Sequence, residues 1–459
     1  MPSRNLSICA LLVHILTSKC ILMEVWGLFV YKNGAMIIRF SAENFLSISE
    51  KQELTLVASS LKDLPESLIK LESDYDLLPV AAIYGANASG KTNVIRALHF
   101  ISNAVENSHR IWEPGRGTVR RPFLFGDWPK KPSSFEVEFA LAGIRHRYGF
   151  SLDSDKVREE WLYAYPHGKQ QRWFTRSEIP ERTFSFSMDL PGEKTRTIEG
   201  LTRPNSLYLS AAAENNHESL MPVYNFLVKD LRFSLSREHL SRKTVEMCND
   251  DKYRSLFLQY LKAADLGVLG LRIERTELDD DGKKFVTALR DAMPKRLQGA
   301  FESATTMSQP WFQHRGQSES PVELSIHNES DGTVAYFSLL GPVVNTLESG
   351  GVLCVDELNS SLHPLLALEL VRVFNDRKRN PLGAQLIFNT HDTNLLDSSL
   401  LRRDQIWFTE KDSSGATHLY PLSDFKPRKN ENLERGYLQG RYGAIPFLGS
   451  DALPQDKDE

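Results

Sequence analysis

The spacing of apolar residues changes several times along this chain, and each change predicts a different element. Leu78–Tyr84 carries no charged residue, which is typical of a buried strand, and Asn93–Phe100 then shows helical spacing. Gly351–Val355 and Ala384–Thr390 repeat the pattern of a buried strand, and alternation of strands and helices continues to about residue 411. Buried strands that alternate with helices predict a largely parallel sheet in an α/β fold.

A different pattern, in which every second residue is apolar, occupies much of residues 122–185. Ser134–Phe139, Arg145–Ser151 and Glu160–Tyr165 alternate in this way, with turn residues between them at Ala142-Gly143 and at 153–155. This region is therefore predicted to be an antiparallel β subdomain.

Helical periodicity dominates from about residue 215 to 300. Tyr253–Lys262 and Phe285–Leu297 are the clearest examples. We interpret this region as a helical insertion and expect the strand-like segment Val322–Ile326 to return the chain to the main sheet. The polar segment Asp189–Asn205 is expected to be a surface loop.

With 459 residues, the chain is long for a single hydrophobic core. We divide it into four regions: a non-core N-terminal extension (1–35), an N-terminal half of the core (36–215), the helical insertion (216–315), and a C-terminal half with a loop-like tail from residue 418 (316–459). These boundaries follow the changes of pattern described above.

The first 35 residues differ from the rest of the chain. Their apolar run, Ile8–Leu16, is interrupted by His14 and is too short to span a bilayer. We expect the core to begin at Met36 and residues 1–35 to be dispensable, since a start site assigned too far upstream explains them. An additional N-terminal helix or anchor is the alternative. Met36–Phe45 is expected to be an edge-forming strand.

Composition narrows the functional classes. The net charge of −4 excludes a globally basic protein that coats nucleic acid, although local basic patches remain compatible with it. No run of about 18 apolar residues indicates an integral membrane protein. The cysteines are far apart in sequence and form no C-x-x-C pair, which suits a reducing cytoplasm and predicts neither a zinc site nor a disulfide framework. They are Cys9, Cys20, Cys248 and Cys354.

A glycine-rich segment between the first buried strand and its helix has the form G-x-x-x-x-G-K-[ST]. Glycines at both ends let the backbone turn and point N–H groups at phosphate oxygens. Lys91 can reach the β and γ phosphates, and Thr92 can offer its hydroxyl to Mg²⁺. The preceding strand and following helix disfavour a chance match, so we expect ATP and Mg²⁺ as ligands. The candidate nucleotide-binding residues are Gly85, Asn87, Ala88, Ser89, Gly90, Lys91, Thr92 and Asn93.

Two later strand ends carry candidate catalytic residues. Gly351–Val355 is followed by Asp356 and Glu357, the pattern called Walker B, in which the first acid binds the metal and the second activates water. His391 follows the strand at 384–390 and is a candidate to contact the γ-phosphate or the attacking water. The alternatives are an ordinary strand that ends in acids and a loop histidine without a role.

A further anion-binding feature lies upstream of Walker B. Ser330 and Gly332 precede a helix-like run, and a serine and glycine at a helix start can form a phosphate-binding nest. An ordinary helix cap is the alternative.

As a set, these motifs resemble the ABC-type ATPases of the SMC and OLD group and, more narrowly, AAA-type ATPases of abortive-infection operons of the AbiL/RloA kind. The resemblance covers essentially residues 36–450 and implies an ABC-type P-loop ATPase head with a mixed central sheet, an antiparallel β subdomain and a helical insertion. The segments that carry it are Met36–Phe45, Ile83–Lys91, Asp356–Pro364, Phe388–His391, Leu401–Trp407 and Gly440–Pro446.

The chain departs from the pattern of these ATPases in two places. It lacks the L-S-G-G-Q signature, so Ser330 and Gly332 are assigned by position. No glutamine lies between Lys91 and Gln170, so no Q-loop can be placed. Asn44 is a further candidate for nucleotide contact by resemblance.

The resemblance implies an ATP-hydrolysing sensor or regulator of phage defence that works with a separate effector, a nuclease or toxin from the same operon. It also implies a homodimer or higher oligomer in which the Lys91 loop of one subunit faces Ser330 and Gly332 of the other, with the segment 359–364 at the interface. The alternative is a DNA-handling ATPase similar to SMC proteins, for which the basic residues at 116–121, 130–131 and 426–429 would contact phosphates. Such charge runs are also typical of solvated faces. A transporter subunit fits poorly because Gly332 comes 241 residues after Lys91, much farther than the signature of such subunits lies from the phosphate loop.

Overall fold

A computed structural model describes residues 34–71, 75–178, 181–235, 237–292, 306–316, 320–429 and 431–446. The predicted N-terminal extension therefore lies outside the described residues except for Gly34 and Ala35, and the predicted helix Phe285–Leu297 lies partly outside them. Within the described ranges, none of the helices combines the length and the apolar character that crossing a bilayer requires.

The strands of the described residues alternate with helices in the second half of the chain. In chain order they are β1 (Met36–Glu43), β2 (Gln52–Thr55), β3 (Val80–Gly85), β4 (Ser133–Leu141), β5 (Ile144–Leu152), β6 (Val157–Tyr165), β7 (Gln171–Ser177), β8 (Thr183–Phe186), β9 (Leu231–Ser234), β10 (Val268–Glu277), β11 (Thr306–His314), β12 (Val322–Ser325), β13 (Val352–Val355), β14 (Gln385–Asn389), β15 (Ile406–Lys411) and β16 (Thr417–Pro421).

The α-helices range from one to five turns. In chain order they are α1 (Lys91–Asn107), α2 (Gly192–Leu201), α3 (Tyr208–Glu214), α4 (Met221–Asn225), α5 (Arg237–Met247), α6 (Asp251–Ala263), α7 (Asp280–Ala292), α8 (Asp331–Ser349), α9 (Pro364–Asn375) and α10 (Leu433–Leu438).

The central sheet has six strands in the order β16-β15-β3-β14-β13-β9. All neighbouring pairs are parallel except β15 and β16, so the sheet is mixed, as the resemblance to ABC-type ATPases implies. Because β3, β13 and β14 are parallel neighbours, the loops that follow them meet at one edge of the sheet. This edge brings the glycine-rich loop, Asp356 and His391 together.

A second sheet has seven antiparallel strands in the order β2-β1-β4-β5-β6-β7-β8, which confirms the predicted antiparallel subdomain. Ala142 and Gly143 both have positive φ, 54° and 76°, in the two-residue turn between β4 and β5. Such turns match the twist of the strands that they connect. The predicted edge position of Met36–Phe45 is wrong, because β1 pairs with both β2 and β4.

Helix α1 lies between the two sheets and buries its apolar side against both. Phe100 of α1 contacts Phe135 of β4 with 4.7 Å between ring centroids, and Ile95 shares a buried cluster with Ile83 of β3. The opposite face of the central sheet is covered by α8 and α9. Since successive residues of a strand point to opposite faces, Ile83 joins one core and Tyr84 the other. Burial on both faces explains why β3 is apolar throughout.

The region predicted to be a helical insertion, 216–315, also contains strands. Helices α4 to α7 lie in it, but β9 is an edge of the central sheet, and β10 and β11 form a three-stranded sheet with β12. Val322–Ser325 therefore pairs with β11 and does not return to the central sheet as expected. The boundaries of the four regions stay predictions.

Two segments predicted to be loops contain regular structure. The segment 189–205 includes α2, and the tail from residue 418 includes most of β16 and all of α10. In the tail, the ring of Tyr437 of α10 makes an edge-on contact with Tyr84 of β3, with 5.9 Å between ring centroids. The tail is therefore part of the core that supports the glycine-rich loop.

Candidate nucleotide-binding site

The glycine-rich loop connects β3 to α1 and ends at Gly90, the residue that precedes the helix. Gly90 has φ +109°, and a Cβ atom there would overlap with Oγ1 of Thr417. Ala88 also has positive φ, 62°. A side chain at Gly90 is therefore excluded both by the backbone conformation and by the close approach of β16.

Hydroxyl groups from neighbouring strands hold this loop in place. Thr417 donates to the carbonyl oxygen of Ser89 (2.8 Å), and the hydroxyls of Ser89 and Thr409 lie 2.6 Å apart. Asn93 donates from its side chain to Oγ of Ser47 (2.7 Å), which in turn lies 2.7 Å from Oγ1 of Thr417. The side chains of Ser89 and Asn93, predicted to bind nucleotide, thus support the loop in this structure, whereas Asn87 and Ala88 are exposed on it.

Lys91 is buried, with only 6% of its surface exposed. Its ammonium group donates to the carbonyl oxygens of Gly85 and Ala86, both at 2.9 Å. Burial lowers the pKa of Lys91 to about 8, while the negative charges of Glu357 and Asp356 oppose this shift. The ammonium group therefore lies in the loop, within the field of both acids.

Thr92 and Asp356 provide the oxygen atoms of a candidate metal site. Oγ1 of Thr92 donates to Oδ1 of Asp356 at 2.9 Å. A hydroxyl and a carboxylate beside a phosphate-binding loop are the donor set that Mg²⁺ uses in nucleotide sites. The residues present therefore fit this ion.

Glu357 directly follows the metal-binding candidate and has an exposed side chain. Its φ of 54° places it in the left-handed region, which a non-glycine residue seldom occupies. Its backbone N–H donates to Oδ1 of Asn389 at 2.7 Å. This unusual backbone conformation sets the direction in which the carboxylate leaves the strand end.

His391 lies at the end of β14, beside the same space. Partial burial lowers its pKa, the positive charge of Lys91 adds to the decrease, and the negative charge of Glu357 opposes it. His391 is therefore neutral near pH 7 and can accept or donate a hydrogen bond.

Two asparagines in this site were missed by sequence reasoning. Asn389 contacts Asp356 as well as Glu357, and Asn359 accepts hydrogen bonds from Thr390 and His391. The available signal was an asparagine at the end of an otherwise apolar strand, since a buried amide requires partners.

Ser330 and Gly332 lie at the start of α8. Ser330 is the N-cap residue, and its Oγ accepts from the backbone N–H of Thr333 at 3.2 Å, which fits the alternative of a helix cap. A Cβ atom on Gly332 would lie 3.2 Å from the carbonyl oxygen of Ser361. The side-chain hydrogen bonds described for Ser330 are both with Thr333 and none is with the Lys91 loop, so within one chain the structure does not join these two predicted parts of the site.

Asn44 is buried, and none of the hydrogen bonds described for its side chain reaches the glycine-rich loop. Its amide donates to the carbonyl oxygens of Trp128 and Lys131, both at 2.8 Å, and its Oδ1 accepts from the backbone N–H of Phe123 at 3.0 Å. Asn44 therefore stabilises the segment before β4.

Residues 80–397 match the model of a protein family described as "AAA domain, putative AbiEii toxin, Type IV TA system". The matched segment is more than half of the chain and runs from β3 past His391. The chain belongs to this family. As a member of the family it has a P-loop ATPase fold. This fold agrees with the positions of the glycine-rich loop, Asp356 and His391, which follow three parallel strands of the central sheet.

The individual relative described here shares limited sequence identity with this AAA-domain chain. It is 26% identical over 189 residues to the DNA replication and repair protein RecF of Lachnospira eligens, a match that covers 40% of this chain and 48% of the relative. The chain thus spans about half the length of this curated relative.

Solved structures similar to this AAA-domain chain include two SMC heads. One is the SMC head domain from Thermotoga maritima, at 12% identity, with 84% of this chain and 98% of that chain covered and a TM-score of 0.39. The other is an Smc head domain with an extended coiled coil, bound to the C-terminal domain of ScpA derived from Pyrococcus furiosus. It has 12% identity, 85% and 97% coverage and a TM-score of 0.36.

Proposed function

We propose that this chain binds ATP with Mg²⁺ and hydrolyses it to ADP and phosphate. The observation that carries this proposal is the hydrogen bond between Thr92 and Asp356, which brings the glycine-rich loop against the Walker B strand end. Lys91 lies in the field of Asp356 and of Glu357, so a cation and two acids occupy one site.

The chemistry follows from the roles of these side chains. Glu357 accepts a proton from a water molecule as the water oxygen forms a bond to the γ-phosphorus. The bond between the γ-phosphorus and the bridging oxygen breaks, and ADP leaves with the electron pair. Lys91 exchanges its carbonyl partners for phosphate oxygens and neutralises part of their charge. When bound, Mg²⁺ would be held by Thr92 and Asp356 and would supply further charge compensation.

The complete site is proposed to need two subunits. Ser330 is exposed at the start of α8, and Leu365, which follows the segment 359–364, is 66% exposed although apolar. In a dimer, Ser330 and Gly332 of one subunit would contact the γ-phosphate held by Lys91 of the other. Nucleotide would then favour the closed dimer, and hydrolysis would release it.

We propose that this switch acts as the sensor or regulator of an anti-phage abortive-infection system, with a separate nuclease or toxin as effector. The family description, which names a toxin and a toxin–antitoxin system, supports this role, as does the resemblance of the motifs to ATPases of the AbiL/RloA kind. The test is a plaque assay of cells that carry the operon, with the wild-type chain or with Lys91→Ala. Equal protection by both chains would contradict the proposal.

The partner is tested by purification. The chain should co-purify with the product of the adjacent gene, and Glu357→Gln with ATP should change the amount recovered. A neighbouring product of nuclease or toxin type that never associates with the chain in either nucleotide state would argue against the proposed effector.

A DNA-handling ATPase is the second candidate, and the similarity to RecF favours it. The proposed basic surface is partly occupied by internal contacts. Arg116 pairs with Glu113 at 2.9 Å, Lys130 pairs with Asp127 at 2.9 Å, and Arg120 donates to backbone carbonyls. A gel shift with duplex DNA that weakens as salt is raised would support this candidate.

A further inference from the structure

We propose that Asn389 and Asn359 are positioning residues that form a reciprocal clamp between the two strand ends of the site. Asn389, at the end of β14, holds the turn after β13. Asn359, in the turn after β13, holds the residues after β14. The proposal rests on the proposed ATP hydrolysis, because the residues that the clamp holds include Glu357 and His391.

Asn389 fixes three consecutive residues. Its side-chain Nδ2 donates to Oδ1 of Asp356, and its Oδ1 accepts from the backbone N–H of Glu357 at 2.7 Å. Its backbone carbonyl oxygen accepts from the N–H of Leu358 at 3.0 Å. Asn389 is fully buried, so these bonds are shielded from competing water.

An asparagine is needed at residue 389 because the turn presents one acceptor and one donor to the same side chain. A planar amide supplies the matching donor and acceptor together, whereas a carboxylate cannot donate and an apolar side chain can do neither. The bond to Glu357 stabilises a residue with φ 54°. The bond to Asp356 ends on Oδ1, the oxygen that also accepts from Thr92, so the two donors together set the orientation of this carboxylate.

Asn359 completes the clamp in the opposite direction. Its Oδ1 accepts from Oγ1 of Thr390 at 2.9 Å and from the backbone N–H of His391 at 3.3 Å. Here the side chain acts only as an acceptor in the described bonds. Thr390 is fully buried, so the first of these bonds is also protected.

The clamp lies where the pairing between β13 and β14 ends. The parallel pairing of β13 and β14 ends at Val355 and Phe388. Beyond this pair the segment after β13 is a loop, whereas Asn389 is still part of β14 and pairs with Ile83 of β3. The asparagine side chains, with the backbone bond from Leu358 to Asn389, link these two segments where the β13–β14 pairing has ended. A fixed distance between Glu357 and His391 follows, since the backbone N–H of each donates to one of the two asparagines.

Substitution by aspartate is expected to affect the two asparagines of the clamp differently. Asn389→Asp removes the donor and places a second carboxylate against Asp356, so kcat should fall at least about tenfold while ATP affinity stays within about threefold. Asn359→Asp keeps the acceptor, so it should lose less activity than Asn359→Ala by at least about fivefold. Hydrolysis and affinity are measured separately, by phosphate release and by calorimetry.

Asn380→Ala is the matched control. Asn380 is also fully buried, and its side chain makes three hydrogen bonds, to the carbonyl oxygens of Phe374 and Ala384 and from the N–H of Ala384, away from the site. Its loss should lower the melting temperature about as much as Asn389→Ala does, with kcat per folded molecule unchanged. If the control lowers kcat equally, the role of Asn389 is only structural and the proposal is wrong.

Hydrogen exchange of the nucleotide-free protein gives a readout that does not depend on activity. Asn389→Asp and Asn389→Ala should speed exchange in residues 356–359, and Asn359→Ala should speed it in residues 389–391. Unchanged exchange in both segments would overturn the clamp. If the wild-type chain shows no Lys91-dependent hydrolysis, the proposed function fails, and the exchange data still decide whether the clamp exists.

Discussion

Thr92 donates a hydrogen bond to Asp356 at 2.9 Å, although 264 positions separate the two residues in sequence. The contact exists because the parallel strands β3, β14 and β13 end at the same edge of the central sheet. It combines two motifs, each found in many proteins, into one site with the oxygen donors that Mg²⁺ requires.

Lys91→Ala should lower ATP affinity by at least about 100-fold, because charge-assisted hydrogen bonds contribute about 1.5–3 kcal/mol each and the lysine is predicted to contact two phosphates. Calorimetry with ATP and Mg²⁺ measures the change. Lys130→Ala, which removes an exposed lysine paired with Asp127, is the control. Near-wild-type affinity of Lys91→Ala would contradict the nucleotide-binding assignment.

ATP affinity should decrease as the pH rises through the pKa of Lys91. Burial lowers this pKa to about 8, so the ammonium is charged below that pH and loses its charge above it. The dissociation constant should therefore increase between about pH 7 and about pH 9. Lys91→Arg keeps its charge in this range, so its affinity should change little with pH. If the dissociation constants of the wild-type chain and of Lys91→Arg change with pH in the same way, the pH dependence comes from another group.

Glu357→Gln should bind ATP but hydrolyse it about 10²–10⁴ times more slowly, because the amide keeps the shape of the side chain and cannot accept a proton. ATP should then hold the variant as a dimer, which size-exclusion chromatography with light scattering detects. Glu193→Gln, on the exposed first turn of α2, is the control. Unchanged turnover of Glu357→Gln would move the role of base to another residue, and His391 would be examined next.

Lys91→Ala and Ser330→Arg subunits, each inactive alone, should regain part of the ATPase activity when mixed. In a mixed dimer one site carries both defects and the other carries neither, so recovery is expected if the sites act independently. Strict coupling of the two sites would suppress it. The structural test is therefore a Glu357→Gln dimer with ATP, in which Ser330 should lie near the γ-phosphate bound by the other subunit. A monomer that hydrolyses ATP at the full rate would contradict the two-subunit site.

Thr417→Val should weaken ATP binding several-fold without contacting the nucleotide. The substitution keeps the shape of the side chain and removes the hydroxyl that donates to Ser89, and a buried carbonyl left without its partner costs about 1–3 kcal/mol. Thr346→Val is the control, since Thr346 is a buried threonine that donates to Pro342 within α8. Equal effects of both substitutions on ATP affinity would show that Thr417 has no specific role in holding the loop.

The sequence by itself determined the elements and motifs that depend on residues close together in the chain. The apolar run of β3, the alternation of β4 to β6, the glycine-rich loop and Asp356-Glu357 at the end of β13 were all predicted from local patterns. Local patterns suffice there because burial on one or both faces sets the spacing of apolar residues, and a tight turn restricts its residue types.

Only the tertiary structure decided which strands pair and which side chains complete the site. The interior position of β1, the place of β9 in the central sheet and the pairing of β12 with β11 depend on partners far away in sequence. The hydrogen bonds from Thr417 to the glycine-rich loop and from Asn389 to Asp356 also join residues far apart in sequence. Neither side chain belongs to the motif that it supports. A hydrogen bond between distant residues leaves no local pattern, because its geometry exists only after the sheet has formed.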